Sequence, residues 1–332
     1  MRTKFIFVAL AGLLLGCNTN AQQGSTRKKD MLLVLNKADN TMVIVDPLTL
    51  KITATVATGV GPHELAVSAD GKLAYVGNYG VQSPGNSLSV IDLVKQKEIR
   101  RVDLGAQLRP HDIREKNGKV YFTSELTRTV GRYDFTAGKV DWITGTGQDG
   151  GHMVVLTPGG NRMYVANRVS NTVSSIPLDE ASPPGPVIQI KAGSKPEAID
   201  ISPGGREVWV GNAGDGTITI IEVASNSVNQ TIQVGKTPIR LKFTTDGKRV
   251  LVSDNGSGEL IVIDVNSRNI LKRVKADGGP AGIVVAPDGS RAFVARSASG
   301  IVSVFDLGTL EFTGDIKTGN GPDGIAWVQG EK

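Results

Sequence analysis

Histidine occurs three times in this 332-residue chain, and each time it follows a Pro or Gly in one recurring phrase: Gly61-Pro62-His63, Arg109-Pro110-His111 and Gly150-Gly151-His152. The same phrase carries Glu197 in Lys195-Pro196-Glu197 and Asp323 in Gly321-Pro322-Asp323. It carries aliphatic residues in Thr237-Pro238-Ile239 and Gly279-Pro280-Ala281. Imidazoles joined by a carboxylate suit zinc, copper, nickel or ferrous iron, whereas calcium and magnesium prefer all-oxygen shells. His63, His111, His152 and Glu197 are therefore the candidate ligands of a transition metal, zinc or copper first. Three imidazoles around zinc with one open position would activate a water. Glu64 and Arg240 lie one residue beyond the shared register, and Asp323 within it. With Tyr79 and Glu125 they offer both charge signs and one aromatic, a set fitted to a small polar or anionic ligand. No acid–base pair stands out, so the catalytic residues, if there are any, stay unassigned.

Other chemistries find no support. A single cysteine, Cys17, excludes a disulfide framework, a cysteine-based zinc or iron–sulfur site, and the two-cysteine attachment of c-type haem. No glycine loop of the phosphate-cradling kind is present, so no nucleotide is expected. The net charge of +5 comes mostly from the N-terminus: beyond residue 30 there remain 32 basic and 31 acidic side chains. A nearly neutral body offers no basic stripe for nucleic acid.

The phrase that carries the histidines also sets the fold. From one Pro62-like position to the next the steps are 48, 41, 45, 42, 42 and 42 residues. Such a period belongs to four-stranded propeller blades. Within a repeat, Leu65–Ser68, Leu73–Val76, Leu88–Asp92 and Glu98–Leu104 read as short strands parted by Gly, Asp and Asn turns. Leu32–Leu35, Met42–Asp46 and Ile52–Ala57 lack an inner strand before them, and Gly324–Val328 is an inner strand with nothing after it. Pairing these ends closes a seventh blade and removes the free sheet edges. The expectation is one all-β domain over 31–332, a seven-bladed β-propeller whose last blade is built from both termini. The inner strands line the channel, so the histidines form an arc at one mouth. Alternation alone would put His63 on the side of Leu65 and Val67, facing another blade; its place at the strand start lets it escape. Asn36, Asn78, Asn167 and Asn212 share one register and read as turn-closing residues. Tyr79, Trp142 and Trp209 read as packing rings.

Tyr75-Val76-Gly77-Asn78, Tyr164-Val165-Ala166-Asn167 and Trp209-Val210-Gly211-Asn212, with the turns Ser202-Pro203-Gly204-Gly205 and Ala286-Pro287-Asp288-Gly289, resemble the YVTN family of propeller repeat proteins over residues 31–328. That resemblance implies the fold and leaves the function open. Pro62-His63 through Gly71, then Asn78-Tyr79-Gly80, is loosely similar to the propellers that open sugar lactones. The likeness implies His63, His111 or His152 as general base or metal ligands, Glu64, Glu125 or Glu197 as acid, and Arg240 as the anion's partner.

Arg2 and Lys4 precede an eleven-residue apolar run, Phe5 to Leu15, which has the length of a signal h-region. The run ends in Leu14-Leu15-Gly16-Cys17, which resembles a bacterial lipobox, so 1–16 is expected to be a lipoprotein signal peptide and Cys17 the lipid attachment site. The polar stretch 17–30 reads as a tether. Asn18 in place of an aspartate, and the lack of an acidic pair, place the expected anchor in the outer membrane, facing the periplasm. Three kinds of function follow: a lipid-anchored binding propeller with a metal or ligand site at the channel mouth, a lactonase-like hydrolase or lyase, and a scaffold for a periplasmic protein partner.

Overall fold

The computed structural model describes residues 29–178 and 185–330. The expected signal peptide, the expected lipid site Cys17 and nearly all of the expected tether lie outside the described residues.

Twenty-eight strands form seven four-stranded antiparallel sheets, with a single 3₁₀ turn at Ser297–Ser299 among the described residues. Blades 1 to 6 begin with the inner strands Pro62–Val67, Pro110–Lys116, Gly151–Leu156, Pro196–Ile201, Pro238–Phe243 and Pro280–Val285. Blade 7 pairs Pro322–Val328 with Met31–Asn36, followed by Thr41–Asp46 and Lys51–Ala57. Each terminus thus caps the other's strand, and the propeller closes as the sequence implies. The long first step of 48 residues comes from an extension of the hairpin between the second and third strands of blade 1, where Gly80 pairs with Pro84.

Local chemistry sets the turns. At the turn from first to second strand, Gly71 has φ +60° and its N–H donates to the Ser68 carbonyl, while Ser68 Oγ donates to Asp70. Gly205, Gly247 and Gly289 repeat this left-handed position, which costs glycine nothing. At the turn from third to fourth strand, Asp46, Asp92, Asp134 and Asp306 each accept backbone N–H bonds from two and three residues on.

The core lies between blades rather than inside one layer. Seven apolar clusters are found, one for each blade–blade contact. Trp209 is fully buried in the blade 4–5 cluster, edge-on to Phe243 and with its ring N–H on Glu207. Across the closure, Leu33, Leu35 and Met42 pack on Leu65, Val76 and Ile91. The closing blade is therefore held by burial as well as by strand pairing. Asn78, Asn167 and Asn212 sew the structure from within, each donating to Ser or Thr hydroxyls of the third strand. That is a structural role, though the partners lie on the neighbouring strand and not in a turn.

Candidate functional site

Every inner strand carries a bulge at the same place. Pro62 faces Asn78 and Leu65 faces Val76, so His63 and Glu64 together oppose Gly77; equivalent shifts occur in all seven blades. A bulge re-aims side chains that simple alternation would send elsewhere. It breaks the period-two argument that placed His63 with Leu65, and it lets two successive residues reach the channel. Glycines at the crowded side permit the close approach: a Cβ on Gly77 would lie 2.9 Å from the Pro110 carbonyl oxygen, and one on Gly282 would meet that of Asp323 at 1.9 Å.

The three histidines come together as a stack. His63 and His111 have ring centroids 4.0 Å apart at 43°, and His111 and His152 are 3.5 Å apart at 36°; His63 and His152 are separated by 6.5 Å. His111, in the middle, is fully buried, and neither of its ring nitrogens has a hydrogen-bond partner.

The outer members are tied to acids. His63 Nδ1 lies 3.3 Å from Asp323, which also receives the Lys37 ammonium at 3.0 Å. His152 lies between Glu125 and Glu197, 3.8 Å from each. Tyr79 donates to Glu125 at 2.5 Å and accepts from Arg109 at 3.0 Å, with the Arg109 guanidinium 4.8 Å over its ring. Arg168 donates to Glu197 at 2.9 Å. Arg240 crosses the channel from blade 5 to Glu64 at 2.5 Å and to Asp323 at 3.3 Å.

These surroundings split the histidines electrically. Burial drives His63 down to about 3, Asp323 offsetting only part of the loss, and burial together with its two histidine neighbours puts His111 well below the ordinary value. Burial opposes the charge on His152 as well, but the two glutamates outweigh it and raise its pKa. Glu197 is brought down to about 2: burial works against its ionisation, and His152 and Arg168 overcome that. Glu64 goes the other way, pushed up to about 7 by burial despite Arg240. At neutral pH the mouth therefore holds a neutral pair, His63 and His111, beside a His152 whose protonated form Glu125 and Glu197 favour.

Among the expected ligands His63, His111, His152 and Glu197, the imidazoles meet face to face. Among the described residues the one group whose ligand atoms all lie within 4.8 Å of one another is His63, Glu64 and Asp323. Both of those carboxylates already hold Arg240.

All the expected ligand contacts, Glu64, Tyr79, Glu125, Arg240 and Asp323, are gathered at this mouth. Arg296, at the end of the second strand of blade 6, instead turns to its own blade, holding the Asp277 carbonyl and Ser303. Asp254 caps the backbone of Lys236 and Thr237. Sequence reasoning missed Lys37 and Arg109. Lys37 follows Asn36 as Tyr79 follows Asn78 and Arg168 follows Asn167, so a register signal for it was present. Arg109 occupies the position before the proline that is Gly61, Gly150, Gly279 and Gly321 in other blades, at φ +56°. An arginine held in the left-handed region costs about 1–2 kcal/mol, and here it reaches Tyr79.

A family model described as "Lactonase, 7-bladed beta-propeller" matches residues 150–277, a stretch that contains His152, Glu197 and Arg240. No curated protein matches the chain. Among solved structures, a functionally unknown protein from Desulfotomaculum acetoxidans superposes with a TM-score of 0.77 at 17% identity, over 90% of this chain and 99% of that one. Hydrazine synthase of Kuenenia stuttgartiensis gives 0.74 at 21% identity, over 85% of this chain and 93% of that one. A candidate 6-phosphogluconolactonase from Bacteroides uniformis gives 0.74 at 16% identity, over 91% of this chain and 100% of that one. At these identities the likeness establishes the propeller fold.

Proposed function

We propose that the channel mouth binds a small polar ligand bearing an anionic group, and that a lipid on Cys17 holds the propeller at a membrane, the outer membrane facing the periplasm. The observation that carries the binding reading is His111: an imidazole without solvent contact and with both nitrogens unpartnered is rare in a satisfied interior. A ligand with a hydroxyl or carbonyl would pair with it, and Lys37 and Arg168, the half-exposed cations of the rim, would take the negative group. The repeats are read as YVTN-type blades, and the nearly neutral body leaves no role for nucleic acid.

A second reading, opening of a lactone, is favoured by the family-model match over His152, Glu197 and Arg240. His152, whose protonated form the two glutamates favour, would donate to the ester carbonyl and stabilise the oxyanion as water adds. Glu64, with its pKa near neutrality, is suited to accept the water's proton. The acyl–oxygen bond then breaks, the ring oxygen leaves as a hydroxyl after taking a proton, and the product is a hydroxy acid.

The test is calorimetric titration of the full-length protein with a panel of sugar acids and lactones, with metal analysis after incubation in zinc or copper, for wild type and His111→Ala. Saturable binding of an anionic member that His111→Ala abolishes supports the binding reading. Turnover of a lactone supports the second reading. Stoichiometric metal lost in the variant would make His111 a metal ligand instead. Silence across the panel and both metals overturns all three in favour of a protein-interaction scaffold.

A further inference from the structure

Beyond the histidine layer, toward the opposite end of the channel, lies a cavity of about 290 Å³ whose wall combines apolar side chains with three cations, Arg240, Arg114 and Lys242, and one carboxylate, Glu64, which Arg240 holds. Arg114 and Lys242 sit two residues past Asp112 and Arg240 on their strands. They stand on the far side of the Glu64–Arg240 bridge from the mouth, about 7 Å further along.

The acceptors at this end are spent. Asp112, fully buried, takes the N–H groups of Ile113 and Val154 as well as Arg114. Asp200 takes Lys242 and the N–H of Phe243. Glu64 takes Arg240. Two donors on the cavity wall are left over: Arg240 Nε, on a side chain 7% exposed, and Trp327 Nε1 are both buried without an acceptor. Buried donors are nearly always paired. Two orphans on one wall, in a compartment whose carboxylates each already hold a cation, call for a ligand that brings its own acceptors. The rest of the wall, with Leu241, Ile283 and Ile325 beside the Trp327 ring, calls for an apolar body on that ligand.

We infer that this compartment is a second binding site, distinct from the mouth, for a small organic carboxylate. Its oxygens accept from Arg240 Nε, Trp327 Nε1 and the Lys242 ammonium, and its hydrocarbon part lies against Trp327 and Leu241. The apolar wall selects such a compound over inorganic phosphate. The half-exposed Lys242 and Arg114 mark the end from which it is reached. The inference stands independently of the mouth reading, since Trp327 and Lys242 line the cavity and take no part in the mouth.

Benzoate, with benzyl alcohol as its uncharged counterpart, is the probe, followed by calorimetry and tryptophan fluorescence on the full-length protein. Benzoate is expected to bind at least about tenfold tighter than the alcohol. Lys242→Met is expected to weaken benzoate about tenfold, and Trp327→Phe to remove the fluorescence change. Arg168→Gln, at the mouth, should leave benzoate affinity where it was. Equal affinity for the two probes overturns the inference, and so does no binding up to about 10 mM. So too does a loss in Arg168→Gln with Lys242→Met unchanged, which would put benzoate in the mouth. The comparison of the two probes needs no variant and stands even where a substitution fails to fold.

Discussion

Blades 1 to 3 and blades 5 and 6 present the same bulge, at the same register, to the same channel. In the first group the bulge holds His63, His111 and His152; in the second it holds Ile239 and Ala281. The backbone device is common to both, so the repeat determines where a side chain will be shown and nothing about which chemistry is shown there. The polar arc is built by neighbours. Lys37, Tyr79, Glu125 and Arg168 extend from the ends of second strands to brace the inner-strand residues. Blade 5, aliphatic in its ring position, contributes one residue later through Arg240.

The contrast breaks most sharply at blade 5. Arg240→Ala leaves buried Glu64 without its cation, while Asp323 keeps Lys37, and should cost about 3–5 kcal/mol. Ile239→Val, one residue before it, should cost under about 1.5 kcal/mol. Denaturant midpoints of the two variants decide whether the cross-channel pair is a structural keystone of the site.

A second test uses pH. His63 and His111 bind fewer protons folded than unfolded, because their pKa values lie below the ordinary histidine value of 6.5. Their contribution to stability is complete above 6.5 and is lost as pH falls below it, for His63 down to about 3. His152 has the opposite sign: raised in the fold, it stabilises below 6.5 and loses that contribution as pH rises through its folded pKa. Melting temperature in wild type should thus drop on the acid side. His111→Phe, which keeps a ring in the stack, should flatten that drop, while Ala281→Val should leave its slope unchanged.

Smaller effects sharpen the division between scaffold and site. Asn212→Ala leaves Thr217 and Thr219 without their donor and should cost about 1–2 kcal/mol. Arg109→Gly should instead stabilise by about 1 kcal/mol, because the left-handed φ is free for glycine. The same substitution should weaken ligand binding at the mouth through loss of the Tyr79 contact. Opposite signs on melting temperature and affinity would identify Arg109 as a residue kept for the site.

The fold was legible because a propeller writes its geometry in period: the proline spacing, the Asp-Gly turns and the unmatched end strands gave blade number and closure. The arc of histidines was legible for the same reason. What alternation could not supply was the bulge, since an extra residue leaves no mark in a hydrophobic pattern yet reverses which way the next side chain points. The stacking of the imidazoles, and the reach of Arg240 across the channel to Glu64, depend on distances between blades that no single repeat encodes. Lys37 and Arg109 escaped because lysine and arginine on loops usually mean solvation.

The closure of blade 7 also fixes a direction. Met31 pairs with Val328 and Asn36 with Pro322, so the chain enters the propeller at the channel end remote from the histidines. Cys17 lies 14 residues upstream of Met31, a span of at most about 50 Å when fully extended. An acyl anchor there would join the propeller at the end nearer the carboxylate compartment and leave the histidine mouth at the end opposite the attachment point.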